Sequence, residues 1–204
     1  MPKDTLTIEG TDHVRRFKRL LEAIRLLHST LELTQLTQIV LRIVRDVVPV
    51  DRCTLFVVDH KLKLLRSFIA QGVDEFEIRL PIGQGLAGTV AVTGVPLDVT
   101  DVRKNERFRA DFDDRLAYRT KDVFCLPVFN NEGTVTGVLE LLNRSQPLSG
   151  EDKEFLSDMC TYLGMALHNA WIHRELLEKS IKTGMEEPQG TLPFESTSCE
   201  PISG

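Results

Sequence analysis

Glycines at positions 83, 85 and 88 punctuate the stretch Glu77–Thr93, EIRLPIGQGLAGTVAVT, where a β-type run (Phe76, Ile78, Leu80) meets Pro81 and gives way to a helix of small residues. Glycines there let the backbone turn tightly and bring main-chain N–H groups close to whatever lies above them. Many strand-to-helix junctions share this pattern, so by itself it specifies no ligand. Further on, Glu140 interrupts the apolar run GVLELLN. A carboxylate in such a run needs a partner. Either it accepts a hydrogen bond from an amino group or a purine, or strand alternation turns it to solvent. Arg109 has the charge to balance a phosphate or to stay solvated on the surface. Thr120 can donate to a bound base or phosphate, or cap a turn. Catalytic chemistry finds less support. Cys53, Cys125, Cys160 and Cys199 lie far apart with no CxxC spacing, so neither a zinc site nor a disulfide framework is expected. No Ser–His–Asp or Cys–His arrangement is suggested by spacing. His13, His28, His60, His168 and His173 include no pair of metal-like spacing that would support a haem or metal site. Non-enzymatic binding is the expectation, with no catalytic residue and no metal.

The elements that must position these groups follow from periodicity. Val14, Phe17, Leu20, Leu21, Ile24, Leu27 and Leu31 recur at spacings of three and four, which predicts an amphipathic helix over His13–Leu31. A second helix runs to Val48, with Thr34 as its cap, and Pro49 ends it. Strands are expected at Cys53–Val58, Leu62–Ala70 and Phe76–Leu80, the first two joined by a hairpin turn at Asp59-His60-Lys61. A short helix at Leu86–Thr93 precedes a short strand near Pro96–Val99, and a polar loop, Thr100–Lys121, covers the next gap. Val123–Phe129 and Val135–Leu142 pair through the turn NNEG. A final helix spans about Gly150–Ile181. Strands and helices are segregated, an α+β sandwich with helices on one face of the sheet and loops on the other.

The 204 residues suffice for one sizeable core with helical extensions. A formal net charge of −5 argues against a nucleic-acid-binding surface. No apolar run approaches bilayer length, and the N-terminus lacks the apolar core of a signal peptide, so a cytoplasmic, reduced setting without membrane contact is expected. Residues 1–10 read as a flexible leader. The Pro-, Gly-, Ser- and Glu-rich segment 183–204 reads as a disordered tail that cannot bury enough surface to offset chain entropy.

The Gly-rich turn is followed in order by DVTD (Asp98–Asp101), Arg107-Phe108, Tyr118-Arg119-Thr120 and the strand pair VFCLPVFN and TVTGVLELLNR. This series resembles the GAF domain, a small-molecule-binding sensor module, and in particular the GAF domains that regulate cyclic-nucleotide phosphodiesterases. The resemblance runs from about Leu33 to about Glu178, and it implies a GAF domain over residues 11–182, end helices included. It further implies an antiparallel sheet with helices on one face, a ligand pocket under loops on the other, and long flanking helices that make a homodimer. The implied ligand is a small molecule, with cGMP and cAMP as candidates. The implied output goes to a separate effector protein or a missing effector domain, and the alternative is a ligand-free scaffold for dimerisation or docking. Carried over by position, the ligand contacts would be Leu86 and Ala87 (backbone donors), Arg109, Thr120 and Glu140. Three positions depart from the cyclic-nucleotide pattern. Ile69 and Ala70 replace an aromatic residue and an Asp, and Leu116 replaces a cover-loop threonine. Stacking is worth roughly 1–3 kcal/mol per base in comparable sites, so the loss weakens base reading. The family's NKFDE signature becomes Asn143-Arg144, Leu148 and Asp152-Lys153, in which Arg144 is expected to pair with Asp152. A catalytic relative, free methionine sulfoxide reductase, uses a cysteine in the Gly-rich segment; here GQGLAG has no thiol.

Overall fold

Antiparallel pairing of six strands supplies the frame for every candidate residue, and the computed structural model describes it over residues 17–71, 74–115 and 118–184. Two helices lead in, α1 (residues 17–27) and α2 (Leu33–Val47). Strands β1 (Val50–Asp59), β2 (Leu64–Gln71) and β3 (Asp74–Pro81) follow as consecutive hairpins. Then come α3 (Gly85–Thr93), β4 (Leu97–Val99), α4 (Ala110–Arg115), β5 (Val123–Phe129), β6 (Val135–Arg144) and the 35-residue α5 (Gly150–Gly184). The strand order is β3-β2-β1-β6-β5-β4. β1 and β6 meet at the centre in register, from Val50 opposite Arg144 to Val57 opposite Gly137.

Strand alternation divides the buried side chains into two cores. On one face Cys53, Leu55 and Val57 of β1, with Leu139 and Leu141 of β6, pack under α1, α2 and α5. On the other, Phe56 and Val58 of β1, Val138 of β6 and Cys125 of β5 pack under Leu86, Ala87 and Val90 of α3. The sheet is therefore covered on both sides, by three helices on one face and by α3 with the 100–121 segment on the other.

Local chemistry moves several expected boundaries. Thr34 lies inside the first turn of α2 and does not cap it. Instead the Thr30 hydroxyl accepts from the Glu32 N–H at 3.1 Å and donates to Gln35 Oε1 at 2.9 Å. Asp59 belongs to β1, and the first hairpin turn is His60–Lys63. There the Asp59 carboxylate accepts the Leu62 N–H at 2.9 Å and Lys63 adopts a φ of 54°. The 100–121 segment is more ordered than a polar loop, carrying a 3-10 turn at Val102–Lys104 as well as α4. α5 starts with a reciprocal cap: Ser149 Oγ accepts the Asp152 N–H at 3.0 Å, and Asp152 Oδ2 accepts the Ser149 N–H at 3.0 Å. The expected leader 1–10 and all but the first two residues of the expected tail lie outside the described residues; residues 183–184 finish α5. No helix among the described residues is long and apolar enough to cross a membrane.

The seating of α5 depends on one residue without a side chain. A Cβ at Gly164 would stand 1.8 Å from the Phe129 carbonyl oxygen. Gly164→Ala is expected to push the helix off the end of β5. Overpacking of this kind costs roughly 1–3 kcal/mol, and each kcal/mol lowers Tm by about 2–4 °C at this chain length. An unchanged Tm in thermal denaturation would rule out this contact as the seat of the helix.

Candidate functional site

Between α3 and the sheet lies a cavity of about 100 Å³. Its floor is the second face of the central strands, where Thr54, Phe56, Glu140 and Leu142 share the side that α3 covers. Ile78 and Leu80 of β3 and the first turn of α3 form one wall; Phe108, Arg109, Asp113, Tyr118 and Thr120 of the covering segment form the roof. The α3 wall follows from the glycine spacing. Gly85 takes a φ of 69°, open to glycine at little cost, and so turns the chain from Pro81 into the helix. The first N–H groups of a helix have no intrahelical partner, and Gln84 provides no side-chain cap, so the Leu86 and Ala87 end of α3 reaches the cavity with its backbone donors uncapped by side chains.

Glu140 is half-buried and lines the cavity on the face that α3 covers. It stands opposite Thr54 on β1 and Cys125 on β5. The Cys125 thiol lies 3.7 Å from Glu140 Oε1. Burial pushes the Glu140 carboxyl up to about 7; the thiol hydrogen bond opposes the shift and the Asp113 charge adds to it.

Thr120 also reaches the cavity, but its hydroxyl proton is already engaged. Thr120 Oγ1 donates to Asp113 Oδ1 at 2.5 Å and its N–H donates to Asp113 Oδ2 at 2.9 Å. The expected donor to a base or phosphate is thus an acceptor toward anything in the cavity. Asp113 is the organising residue that the sequence reading missed. Buried under the roof, it also takes Arg103 Nη2 at 3.0 Å, while its carbonyl accepts the Tyr118 N–H at 2.9 Å. In the run DFDDR nothing distinguishes it from its acidic neighbours. Arg109 stands at the lip. Its guanidinium grips Asp111 through Nε and Nη2, at 2.8 and 2.9 Å, and reaches Gln84 Oε1 at 2.9 Å, tying roof to α3. Tyr118 closes the other side, its hydroxyl donating to Asp51 Oδ2 at 3.0 Å and its ring 3.9 Å from the Arg52 guanidinium.

Asn143, Arg144 and Asp152 do not line the cavity. Ile69 and Ala70 lie on β2 opposite Phe76 and Glu75. Their side chains, like Leu116 as a whole, lie outside the described residues. Asn143, at a φ of 52°, holds the end of the roof segment: its Oδ1 accepts the Lys121 N–H at 2.7 Å and its Nδ2 donates to the Arg119 carbonyl at 2.9 Å. The expected Arg144–Asp152 pair is not formed. Arg144 lies buried between Asp98 at 2.8 Å and Asp122 at 2.6 Å, and Asp152 is taken up by its cap with Ser149. The link from this cluster to α5 runs one residue further along, through Lys153 to Asp98 at 2.9 Å.

The thiols are placed for packing. Cys53, Cys125 and Cys160 are buried and free. Burial raises all three, Cys160 to about 12, so none is a ready thiolate nucleophile. Among the described residues no group of His, Cys, Asp or Glu is disposed to hold a metal ion.

A two-sided sheet enclosing a small cavity under a hydrogen-bonded roof is the build of a small-molecule-binding regulatory module. The GAF domain family matches residues 32–167, and the chain belongs to that family. The dual 3',5'-cyclic-AMP and -GMP phosphodiesterase 11A of Takifugu rubripes is 30% identical over 166 residues, covering 74% of this chain and 18% of the relative. The chain spans about a fifth of the length of such curated relatives. The GAF domain of an Acinetobacter phosphoenolpyruvate-protein phosphotransferase superposes with a TM-score of 0.65 at 21% identity, over 78% of this chain and 95% of that one. Free methionine-R-sulfoxide reductase of Neisseria meningitidis, in complex with its substrate, superposes with a TM-score of 0.61 at 17% identity, over 78% of this chain and 91% of that one; this similarity concerns the fold alone.

The Glu140 carboxyl gives the site a pH signature. Its pKa is about 7 in the folded chain against an ordinary value of 4.5, so between these limits the folded state holds a proton that the unfolded state has released. Stability from this group is present below pH 4.5 and lost as pH rises through about 7. Glu140→Gln stays neutral throughout, so its Tm relative to wild type is expected to climb from about pH 5 to 8. Parallel Tm curves for the two proteins would show that the carboxyl is fully hydrated.

Proposed function

We propose that this chain is the sensing part of a signalling protein, taking a small molecule into the cavity between Glu140 and the Asp113-tied roof. The observation that carries the reading is the half-buried carboxyl of Glu140, set in the cavity floor with a single thiol as its described hydrogen-bond partner. Binding changes the contacts that Arg109 and Thr120 make within the roof, and a ligand shifts a conformational equilibrium only through different affinity for the two states. The output passes through α1 and α5. Phe17 and Leu21 on α1, and Ile172, Leu176, Leu177 and Ile181 on α5, are exposed large apolar side chains. A second copy of the chain covers them in a homodimer, and the effector is either a separate protein or a further domain. The setting is cytoplasmic, with no nucleic acid or membrane partner and no catalytic step. Because curated relatives are cyclic-nucleotide phosphodiesterases, cGMP and cAMP stand first among the ligands to test. Ile69 and Ala70, in place of the aromatic residue and Asp of the cyclic-nucleotide pattern, favour a second reading in which the domain is a ligand-free scaffold for dimerisation or docking.

A thermal-shift screen of the purified chain against cAMP, cGMP, other nucleotides and small metabolites separates the two. A concentration-dependent rise in Tm with one compound is expected, since a ligand that binds the native state stabilises it by mass action. Flat curves from a folded protein would leave the scaffold. Leu21→Glu combined with Leu176→Glu, both at exposed positions, is expected to convert dimer to monomer in sedimentation without loss of fold. A dimer that survives both charges would remove the end helices as the route of transmission.

A further inference from the structure

Leu62, Val92, Val95 and Phe129 are exposed large apolar side chains that belong to neither α1 nor α5. They gather at one end of the sheet. The Ile82 N–H donates to the Lys63 carbonyl at 3.0 Å, which sets Leu62 beside the turn that leads into α3. A Cβ at Gly83 in that turn would stand 3.7 Å from Val92, and one at Gly94 would stand 3.1 Å from the Phe129 ring. The four side chains therefore form one strip across the end of the sheet, along the C-terminal half of α3. Exposed Lys63 flanks it. α5 passes the same end: Glu175 pairs with Lys61, the neighbour of Leu62, and the helix runs on to Gly184. The chain that follows, residues 185–204, carries Glu186, Glu187, Glu195 and Glu200 and no Lys, Arg or His. Within it stands an apolar cluster, Leu192-Pro193-Phe194.

We propose that residues 192–195 dock on this strip of their own chain, with Leu192 and Phe194 against its apolar side chains and the flanking carboxylates toward Lys63. Reach and charge both favour this occupant. From Glu175 to Gly184 α5 advances about 14 Å at its rise of about 1.5 Å per residue. Residues 185–194 span up to about 33 Å when extended, so Phe194 can return past Lys61 and along the strip. A tether of this length holds the cluster at an effective concentration on the order of 1 mM, so docking too weak to retain a separate peptide is populated within one chain. A second copy or a separate protein lacks that advantage. Pro193 fixes one backbone angle between the two anchors and so lowers the entropy cost of ordering them. α3 is then held at both ends, by the Gly-rich turn where it meets the cavity and by the docked cluster at its other end.

Hydrogen–deuterium exchange of the full chain, read by mass spectrometry, tests the placement. Backbone amides of residues 190–196 are expected to exchange roughly tenfold more slowly in the wild type than in Val95→Asp, which puts a charge on the strip at an exposed position. Leu192→Ser combined with Phe194→Ser is expected to speed exchange at residues 92–96 by a similar factor, with β1 and β6 unchanged. Mixed in equal amounts, the two variants should not restore each other's protection. Equal exchange of residues 190–196 in wild type and Val95→Asp would overturn the strip as the docking surface. Restored protection in the mixture would place the cluster on a partner copy and overturn docking within one chain.

Discussion

The central strands β1 and β6 are covered on both faces, and this single constraint shapes the site. A strand with one wet face can place polar residues there at no cost; a strand covered twice cannot. Along β1 every residue from Cys53 to Asp59 is buried. Polar groups on these strands persist only where the covering layer leaves room. Thr54 and Glu140 stand opposite each other at such a place, under the first turn of α3 and the roof. Their location reports a gap in the packing on that face, and the raised carboxyl is its electrostatic consequence. The other face, filled by three helices, buries mostly leucine and valine, with alanine, phenylalanine and cysteine among them.

The roof is held by polar geometry more than by packing. Asp113 gathers a guanidinium, a hydroxyl and a backbone N–H around one buried carboxylate, which charge-assisted bonding makes stronger than neutral pairs of the same number. Arg109 and Tyr118 then fasten the two sides, one to α3 and one to the start of β1. A segment so held is fixed by directional bonds on both sides of the cavity, which apolar packing alone does not supply.

Much of the fold was legible in the sequence because periodicity and breakers act locally. The three- and four-residue apolar spacing of α2 and α5, Pro49 after α2, and the glycines before α3 each state their element without reference to distant residues. The site was legible in its members and less so in their roles. Glu140 could be singled out from its apolar neighbours, but its side of the sheet depended on which face α3 covers. Thr120 was recognisable as a polar group near the roof; that its proton goes to Asp113, seven residues earlier across α4, was not. Arg144 was expected to reach Asp152 because the family signature places a cation and an acid at those positions. Its actual partners, Asp98 and Asp122, come together only when β4 pairs with β5, and Asp152 is drawn away by a local cap that competes successfully for it. Thr34 likewise lies inside α2, whose N-cap position is Glu32, with the Thr30 hydroxyl taking the Glu32 N–H just ahead of the helix.

Arg144 holds Asp98 and Asp122, and the whole covering segment hangs between those two aspartates. The pairing of β4 with β5 and this guanidinium together close the neck of the loop, so that the two ends of the roof stay together whatever the middle does. The entropy of loop closure is already spent at the neck, and opening the crown above the cavity need not unravel the edge of the sheet. Since Asp98 also holds Lys153, the neck is fastened to the first turn of α5. Any displacement of the roof large enough to pull on its base is thus delivered to the start of the longest helix, at the end opposite its exposed apolar tail.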